Sequence, residues 1–278
     1  MWSIGILKGE SPFALSDRSF ASNPVITKRN VFDVEAQFVA DPFMMHFNNK
    51  WYMFFEVMNA NRNMGEIGLA ESSNCMNWAY KGIVIKEDFH LSYPYVFFHE
   101  NYIYLIPETF QSNAIRLYRA KKFPTDWEFH SNLKFGTFVD TSIIMYQSKW
   151  WIFTCPTPGK NNSLEIYYSD RLYGPWHEHE KNPILCNDNK HSRPAGRIIY
   201  YYGKLFRFSQ NCNPFYGTSV NAFEIQELTP ESYEEIPYSA NPILSPSGTG
   251  WNSQRMHHID THILNDGKWI ACVDGFSC

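Results

Sequence analysis

The chain lacks long apolar runs, a basic leader and any strong imbalance of charge. Nothing in its 278 residues approaches the roughly 18 consecutive apolar positions that a membrane-spanning helix needs. The opening Met1-Trp2-Ser3-Ile4-Gly5-Ile6-Leu7-Lys8-Gly9-Glu10 has neither a charged n-region nor a long apolar core. The expectation is therefore a soluble, cytoplasmic protein with no signal peptide and no membrane insertion. The formal charge is only −4, and no basic stripe runs along the chain, which excludes a general nucleic-acid binder. Six cysteines, Cys75, Cys155, Cys186, Cys212, Cys272 and Cys278, are scattered without metal-ligand spacing and read as free thiols. No Asp-x-Asp pair is present. Asp33-Val34-Glu35 is the nearest substitute, so no cofactor follows from the sequence and a hard divalent cation is left open.

What the chain has in excess is aromatic residues, 17% of the total, as suits strands that pack face on face. They recur in a unit. Five short openings, Val39-Ala40-Asp41-Pro42-Phe43, Ser92-Tyr93-Pro94-Tyr95, Val139-Asp140-Thr141-Ser142, Ser192-Arg193-Pro194-Ala195 and His258-Ile259-Asp260-Thr261, are each followed by a second aromatic strand. Those strands end at Glu56, Glu108, Cys155, Gln210 and Asp274. Successive openings lie 47 to 67 residues apart, close to the roughly 40–50 of a propeller blade with loop insertions.

This spacing predicts an all-β, five-bladed propeller over residues 1–278 as a single domain, with the start of every innermost strand at one axial mouth. The fifth unit stops after two strands. Ser3–Leu7 imitates the third strand of a blade, and Asn23-Pro24-Val25-Ile26 imitates the outer Asn182-Pro183-Ile184-Leu185 and Asn241-Pro242-Ile243-Leu244. The N-terminus is therefore expected to complete the last blade, closing the ring and removing an edge.

With those stretches in place, together with His90-Leu91-Ser92, Arg193-Pro194-Ala195-Gly196-Arg197, Gly248-Thr249-Gly250-Trp251 and Met256-His257-His258, the chain resembles the glycoside hydrolase family 43-like propellers. It resembles more closely the N-terminal propeller of glucosamine inositolphosphorylceramide transferases and its stand-alone bacterial relatives. The resemblance implies a carbohydrate-active site in the funnel. In the hydrolases it implies a base at the Asp-Pro motif of the first blade, here Asp41, an orienting aspartate in the third, here Asp140, and a glutamic acid in the fourth. That third position reads Arg193 and Arg197 instead.

A missing acid with guanidinium in its place favours a diphosphate leaving group over an alkoxide, because arginine forks two donors onto phosphate oxygens. The reading is a glycosyltransferase that moves a sugar, with UDP-xylose the first donor to try, from a nucleotide sugar to a glycan or glycolipid hydroxyl. Asp41, Asp140 and Asp260 are its catalytic candidates. Glu56, Tyr93, Glu108, Arg193, Arg197, Trp251, His257, His258 and Asp274 are its substrate-binding candidates. Tyr93 and Trp251 are either sugar-stacking platforms or rim packing. Of His257 and His258 only one can face the funnel. Arg193 pairs either with phosphate or with a funnel carboxylate. Two alternatives stay open, a family 43-like pentosidase with Glu56 or Glu108 as a displaced acid, and a non-catalytic sugar-binding propeller. Oligomeric state is not legible.

Overall fold

In the computed structural model, which describes residues 1–16 and 21–278, the chain forms five antiparallel sheets arranged as blades. Blade one runs outward through Ala36–Phe47, Lys50–Asn59, Met64–Ser72 and Ala79–Ile85. Blade two comprises Ser92–His99, Tyr102–Glu108, Ala114–Lys122 and Asp126–Phe135, and blade three Val139–Tyr146, Lys149–Cys155, Ser163–Ser169 and His177–Glu178. Blade four is built from Ile199–Tyr201, Lys204–Asn211, Ser219–Leu228 and Tyr233–Pro237. Among the described residues, helical structure is limited to three three-residue 3-10 turns, and no helix is long and apolar enough to cross a membrane.

Blade five combines both ends of the chain, as the sequence predicts. Ile259–Ile263 and Trp269–Phe276 supply its inner strands, and Trp2–Ser11 adds the third in continuous register from Trp2 opposite Phe276 to Gly9 opposite Trp269. The fourth strand is Ala14–Ser16, not the Asn23–Ile26 segment that the sequence suggested. That segment has a different task. The Asn23 side-chain amide accepts from Ile6 N–H and donates to Ile6 C=O, both at 2.8 Å. Asn182 does the same to Ile166, and Asn241 to Ala222, at 2.8–2.9 Å. In three blades an asparagine amide thus stands in for one residue of an edge strand, satisfying backbone groups that would otherwise lie unpaired.

Aromatic contacts bridge every seam between blades. Phe54 meets Trp127, Phe97 meets Trp150, Phe153 meets Tyr233, Phe206 meets Phe13 and Trp51 meets His262, with ring centroids 4.8–6.0 Å apart. Each such pair contributes about 0.5–1.5 kcal/mol beyond the area it buries. The seam between blades four and five also carries a main-chain bridge from Gly196 to Ile259. A side chain on Gly196 would sit 1.7 Å from the Ile259 carbonyl oxygen, and its φ of 145° is one that only glycine adopts readily.

Candidate active site

In blades one, two and three, the first inward-facing residue sits at an identical irregularity. Asp41, Tyr93 and Asp140 have φ of 52°, 45° and 51°, and each lies where the register of the inner strand slips against its neighbour. A bulge at this place re-aims a side chain out of the alternating pleat and toward the axis. A left-handed aspartate or tyrosine costs on the order of 1–3 kcal/mol, a strain that clusters at functional sites. Blade four lacks the bulge, and its inner segment from Arg193 to Gly196 is held by isolated bridges. Blade five has an unbroken ladder, with Ile259 opposite Val273 and Asp260 opposite Cys272.

This difference changes the predicted alignment. At the mouth the equivalents of Asp41 are Arg193 and His257, and Asp260 lies deeper along its strand. Asp260 is fully buried beneath the mouth, where Arg197 Nε donates to it at 2.7 Å, Met44 N–H at 2.6 Å and His262 lies at 2.9 Å. Arg197 also donates to Val96 C=O at 2.9 Å. These partners, Arg197 above all, outweigh burial and hold the Asp260 carboxyl far below its usual range. Asp260 is thus not available as a base, and Arg197 is not available to phosphate.

A middle layer closes the axis above this pair. The Tyr93 hydroxyl lies 2.9 Å from Ser142 Oγ and 3.2 Å from Gly196 C=O. His258 Nε2 donates to Pro42 C=O at 2.9 Å, and burial depresses its pKa to about 4, so it stays neutral. Tyr93 is therefore floor structure and not a stacking platform. Trp251 packs against Gly5 and Gly275 and lines a separate cleft with Pro24 and Thr27. The Asp33 carboxylate accepts from Tyr80 Oη and Ile83 N–H at 2.8 Å, a structural role.

Above the floor opens a cavity of about 190 Å³, with Asp41, Glu56, Glu108, Arg193 and His257 in its lining. Glu56 and Glu108 hold the corners that the repeat gave them, opposite Ala40 and Ser92. Asp274 is placed behind His257, where its Oδ1 accepts from His257 Nδ1 at 2.7 Å and from the N–H groups of His257 and His258 at 3.2 and 3.1 Å. Burial would raise the Asp274 carboxyl, but the His257 pair and these donors bring it below the usual range. The same pair raises His257 against the effect of its own burial.

Asp41 is differently placed. Its Oδ2 accepts only from Tyr93 N–H at 3.3 Å, and its Oδ1 has no hydrogen-bond partner and faces His257 Nε2 at 3.5 Å. Burial pushes its pKa up to about 7, with His257 opposing and Asp140 and Asp274 adding to the rise. Burial also holds Glu56 and Glu108 well above the usual carboxyl range, next to like charges on Asp41 and Asp140. Glu108 Oε2 is buried without a partner, and Arg193 Nη2 stands 3.5 Å away.

The Arg193 guanidinium is largely consumed within the protein. Its Nε donates to Asp140 at 2.5 Å and its Nη1 to Asn161 at 2.7 Å, while Gln210 Nε2 donates to the same Asp140 oxygen at 2.6 Å. Of the four basic side chains among the substrate-binding candidates, Arg193, Arg197, His257 and His258, each is engaged by a carboxylate or a carbonyl. Asp140 positions Arg193 and the floor; it does not line the cavity itself.

Several cavity residues escaped the sequence reading. Trp2 stacks on His257 with centroids 4.2 Å apart, and Tyr216 meets the same imidazole edge-on at 5.0 Å. His90 Nδ1 accepts from Gly65 N–H at 2.9 Å, so its proton is on Nε2, directed at Glu56 Oε1 3.5 Å away. Burial lowers the pKa of this imidazole below its usual value. Asp41, His257 and Asp274 bring three ligand atoms within 4.8 Å of one another and could hold a metal ion. Both nitrogens of His257 already face carboxylates, which favours a proton in that position.

The five antiparallel blades around a carboxyl-lined axial cavity give the chain the architecture of a five-bladed propeller, the fold of the family-43 glycoside hydrolases. A structure titled as a thermostable family-43 glycoside hydrolase superposes with a TM-score of 0.63 over 92% of this chain and 91% of its own, at 18% identity, which speaks to the fold. The chain belongs to the family described as glucosamine inositolphosphorylceramide transferase 1, N-terminal, whose model matches residues 1–276. It is 36% identical to glucosamine inositolphosphorylceramide transferase 1 of Oryza sativa subsp. japonica, and 34% identical to that of Arabidopsis thaliana, over 99% of its length. It spans only 40% and 39% of these curated relatives.

Proposed function

We propose that the axial cavity is the active site of an enzyme that breaks the glycosidic bond of a neutral sugar, with paired carboxyl groups as base and acid. The observation that carries this reading is the contrast between Asp41 and Glu108. Both are buried at one cavity with an oxygen that has no hydrogen-bond partner, yet Asp41 is poised near neutrality while burial and the neighbouring Asp140 hold Glu108 well above the usual carboxyl range. Two carboxyls whose environments separate their proton affinities are what acid–base glycoside chemistry uses. Asp41 Oδ1 takes the proton of the attacking hydroxyl, from water or from an acceptor sugar. Glu108 gives its proton to the leaving oxygen as the bond to the anomeric carbon breaks. His257 and Asp274 orient Asp41, Trp2 and Tyr216 wall the sugar, and Glu56 with His90 binds its hydroxyl groups.

The second reading is transfer from a nucleotide sugar to a glycan or glycolipid hydroxyl. It is favoured by the transferase name of the relatives and by Arg193, which reaches the cavity with one guanidinium nitrogen facing Glu108. Against it stands the pairing of the basic side chains, since Arg193 Nε and Nη1 are taken by Asp140 and Asn161 and His257 Nδ1 by Asp274, which leaves few donors for a diphosphate.

The two separate by calorimetry. Titration with arabinose, xylose and galactose, alongside UDP, UDP-xylose, UDP-glucose and UDP-N-acetylglucosamine, should show millimolar or tighter binding of a neutral sugar and none of UDP. Micromolar binding of UDP that Arg193→Ala weakens about ten- to a hundredfold would instead establish the transferase reading.

A further inference from the structure

The axial cavity has a neighbour. A cleft of about 260 Å³ lies on the other side of the Trp2 indole, which lines both spaces. Its remaining walls include Pro24, Thr27, Lys28, Arg29 and Trp251. Among the described residues no carboxylate lines it, in contrast to the cavity with its Asp41, Glu56 and Glu108.

These walls are held in place by contacts that leave two charges over. The Trp251 indole lies on Gly5 and Gly275, where a Cβ on either would come within 2.4–2.5 Å of its ring. Thr27 Oγ1 accepts from Arg29 N–H at 3.2 Å and Asn30 Oδ1 from Thr27 N–H at 2.8 Å, which caps the 3-10 turn Lys28–Asn30. The side chains of Lys28 and Arg29 take no part in this. Among the described residues neither has an ion-pair or hydrogen-bond partner, whereas Arg62, Arg119, Arg193, Arg197 and Arg207 each hold a carboxylate.

The repeat shows that the fold does not require these charges. The three asparagine clamps, begun by Asn23, Asn182 and Asn241, each reach a residue bridged to the third strand of a blade: Ile26 to Ile4, Leu185 to Leu164 and Leu244 to Val220. The next three residues are Cys186-Asn187-Asp188 in one copy and Ser245-Pro246-Ser247 in another. Beside Trp2 they are Thr27-Lys28-Arg29. Of the three copies, the one that adjoins the axial cavity is the one that carries two cations.

We propose that this cleft is a second subsite of the axial site and takes an anionic unit of the substrate, a phosphate or a carboxylate on the residue to which the cavity's sugar is joined. Arg29 offers a fork of donors to two oxyanion oxygens, and Lys28 a mobile point charge beside it. Trp2, common to both spaces, stands where the linkage passes. The substrate is then a neutral sugar linked to an acidic unit. The proposal rests on the axial cavity as the sugar site, though not on cleavage there.

The test is calorimetric titration of the full chain, carrying Asp41→Asn to prevent turnover, with lactose, lactobionate and lactose 1-phosphate, and with xylobiose and xylobionate. Within each set the terminal sugar is constant and the adjoining unit gains a carboxylate or a phosphate. At least one charged compound should bind about tenfold or more tightly than its neutral parent, and the preference should shrink as sodium chloride rises from about 0.05 to 0.5 M. Lys28→Gln combined with Arg29→Gln should remove the preference, and Lys28→Arg, which keeps the charge, should retain it. Because neither side chain has a partner in the fold, the double variant should melt like its parent. The proposal is overturned if no charged compound outbinds its neutral parent or if the double variant keeps the preference. It is overturned too if UDP binds and the double variant abolishes that binding, which would put a nucleoside diphosphate here. A charge preference in a protein that releases nothing from nitrophenyl glycosides would overturn cleavage at Asp41 and uphold this subsite.

Discussion

At the scale of single residues, the account rests on where protons sit around Asp41. Asp41→Asn keeps the shape of the side chain and removes its basicity, so turnover should fall by about a hundredfold or more while the fold persists. The same substitution has a sign in stability. The folded-state pKa of Asp41, about 7, is raised above its unfolded value, so its contribution is fully present below the unfolded pKa and lost as pH rises through about 7. Asparagine has no charge to lose. Its melting temperature should therefore gain on that of the wild type between pH 4 and pH 8, by roughly several degrees, and a constant difference across that range would show that Asp41 is ionised throughout. Glu108→Gln addresses the acid. Release of an alkoxide needs a proton and release of nitrophenolate does not, so this variant should lose far more activity on an alkyl glycoside than on a nitrophenyl one. Equal losses on both would move the acid to Glu56.

At the scale of strands and turns, the asparagine clamps and the bulges are the devices to test. Asn182→Ala removes two hydrogen bonds to Ile166 and leaves a backbone N–H and C=O without partners, which should cost about 1–3 kcal/mol in urea unfolding. A smaller cost, within about 0.5 kcal/mol, would mean that water replaces the amide. The repeat made these clamps visible as Asn-Pro copies, though not their chemistry, which the sequence reading took for strand pairing. The same repeat places Glu56 and Glu108 at equivalent corners of their second strands, opposite Ala40 and Ser92, because the slip in register falls on the inner strand and leaves the count along the second strand unchanged. It misplaced Asp260 because the first three blades carry a bulge that the fifth lacks, and a count of residues along the strand does not reveal a slip in register. Trp2, His90 and Tyr216 were not legible as site residues. Trp2 reaches His257 only because the ring closes, and His90 and Tyr216 arrive from connections between strands, outside the repeating pattern.

At the scale of the whole molecule, closure and catalysis depend on the same segment. Removing residues 1–10 takes away the third strand of blade five and the Trp2 wall of the cavity together, so the truncated chain should lose cooperative unfolding and not merely a tail. A truncation that melts like the full chain would refute closure as a source of stability. The central claim is that this closed ring gathers buried carboxyls into a site that breaks glycosidic bonds, with Asp41 as base. Its most direct test is release of nitrophenol from α-L-arabinofuranosides, β-D-xylosides and β-D-galactosides by the wild type and Asp41→Asn side by side. The account predicts release from at least one substrate, with an acidic limb near pH 7 in the wild type and a loss of about a hundredfold or more in the variant. No release from any of them by the wild type, or equal release by the two proteins, would contradict it.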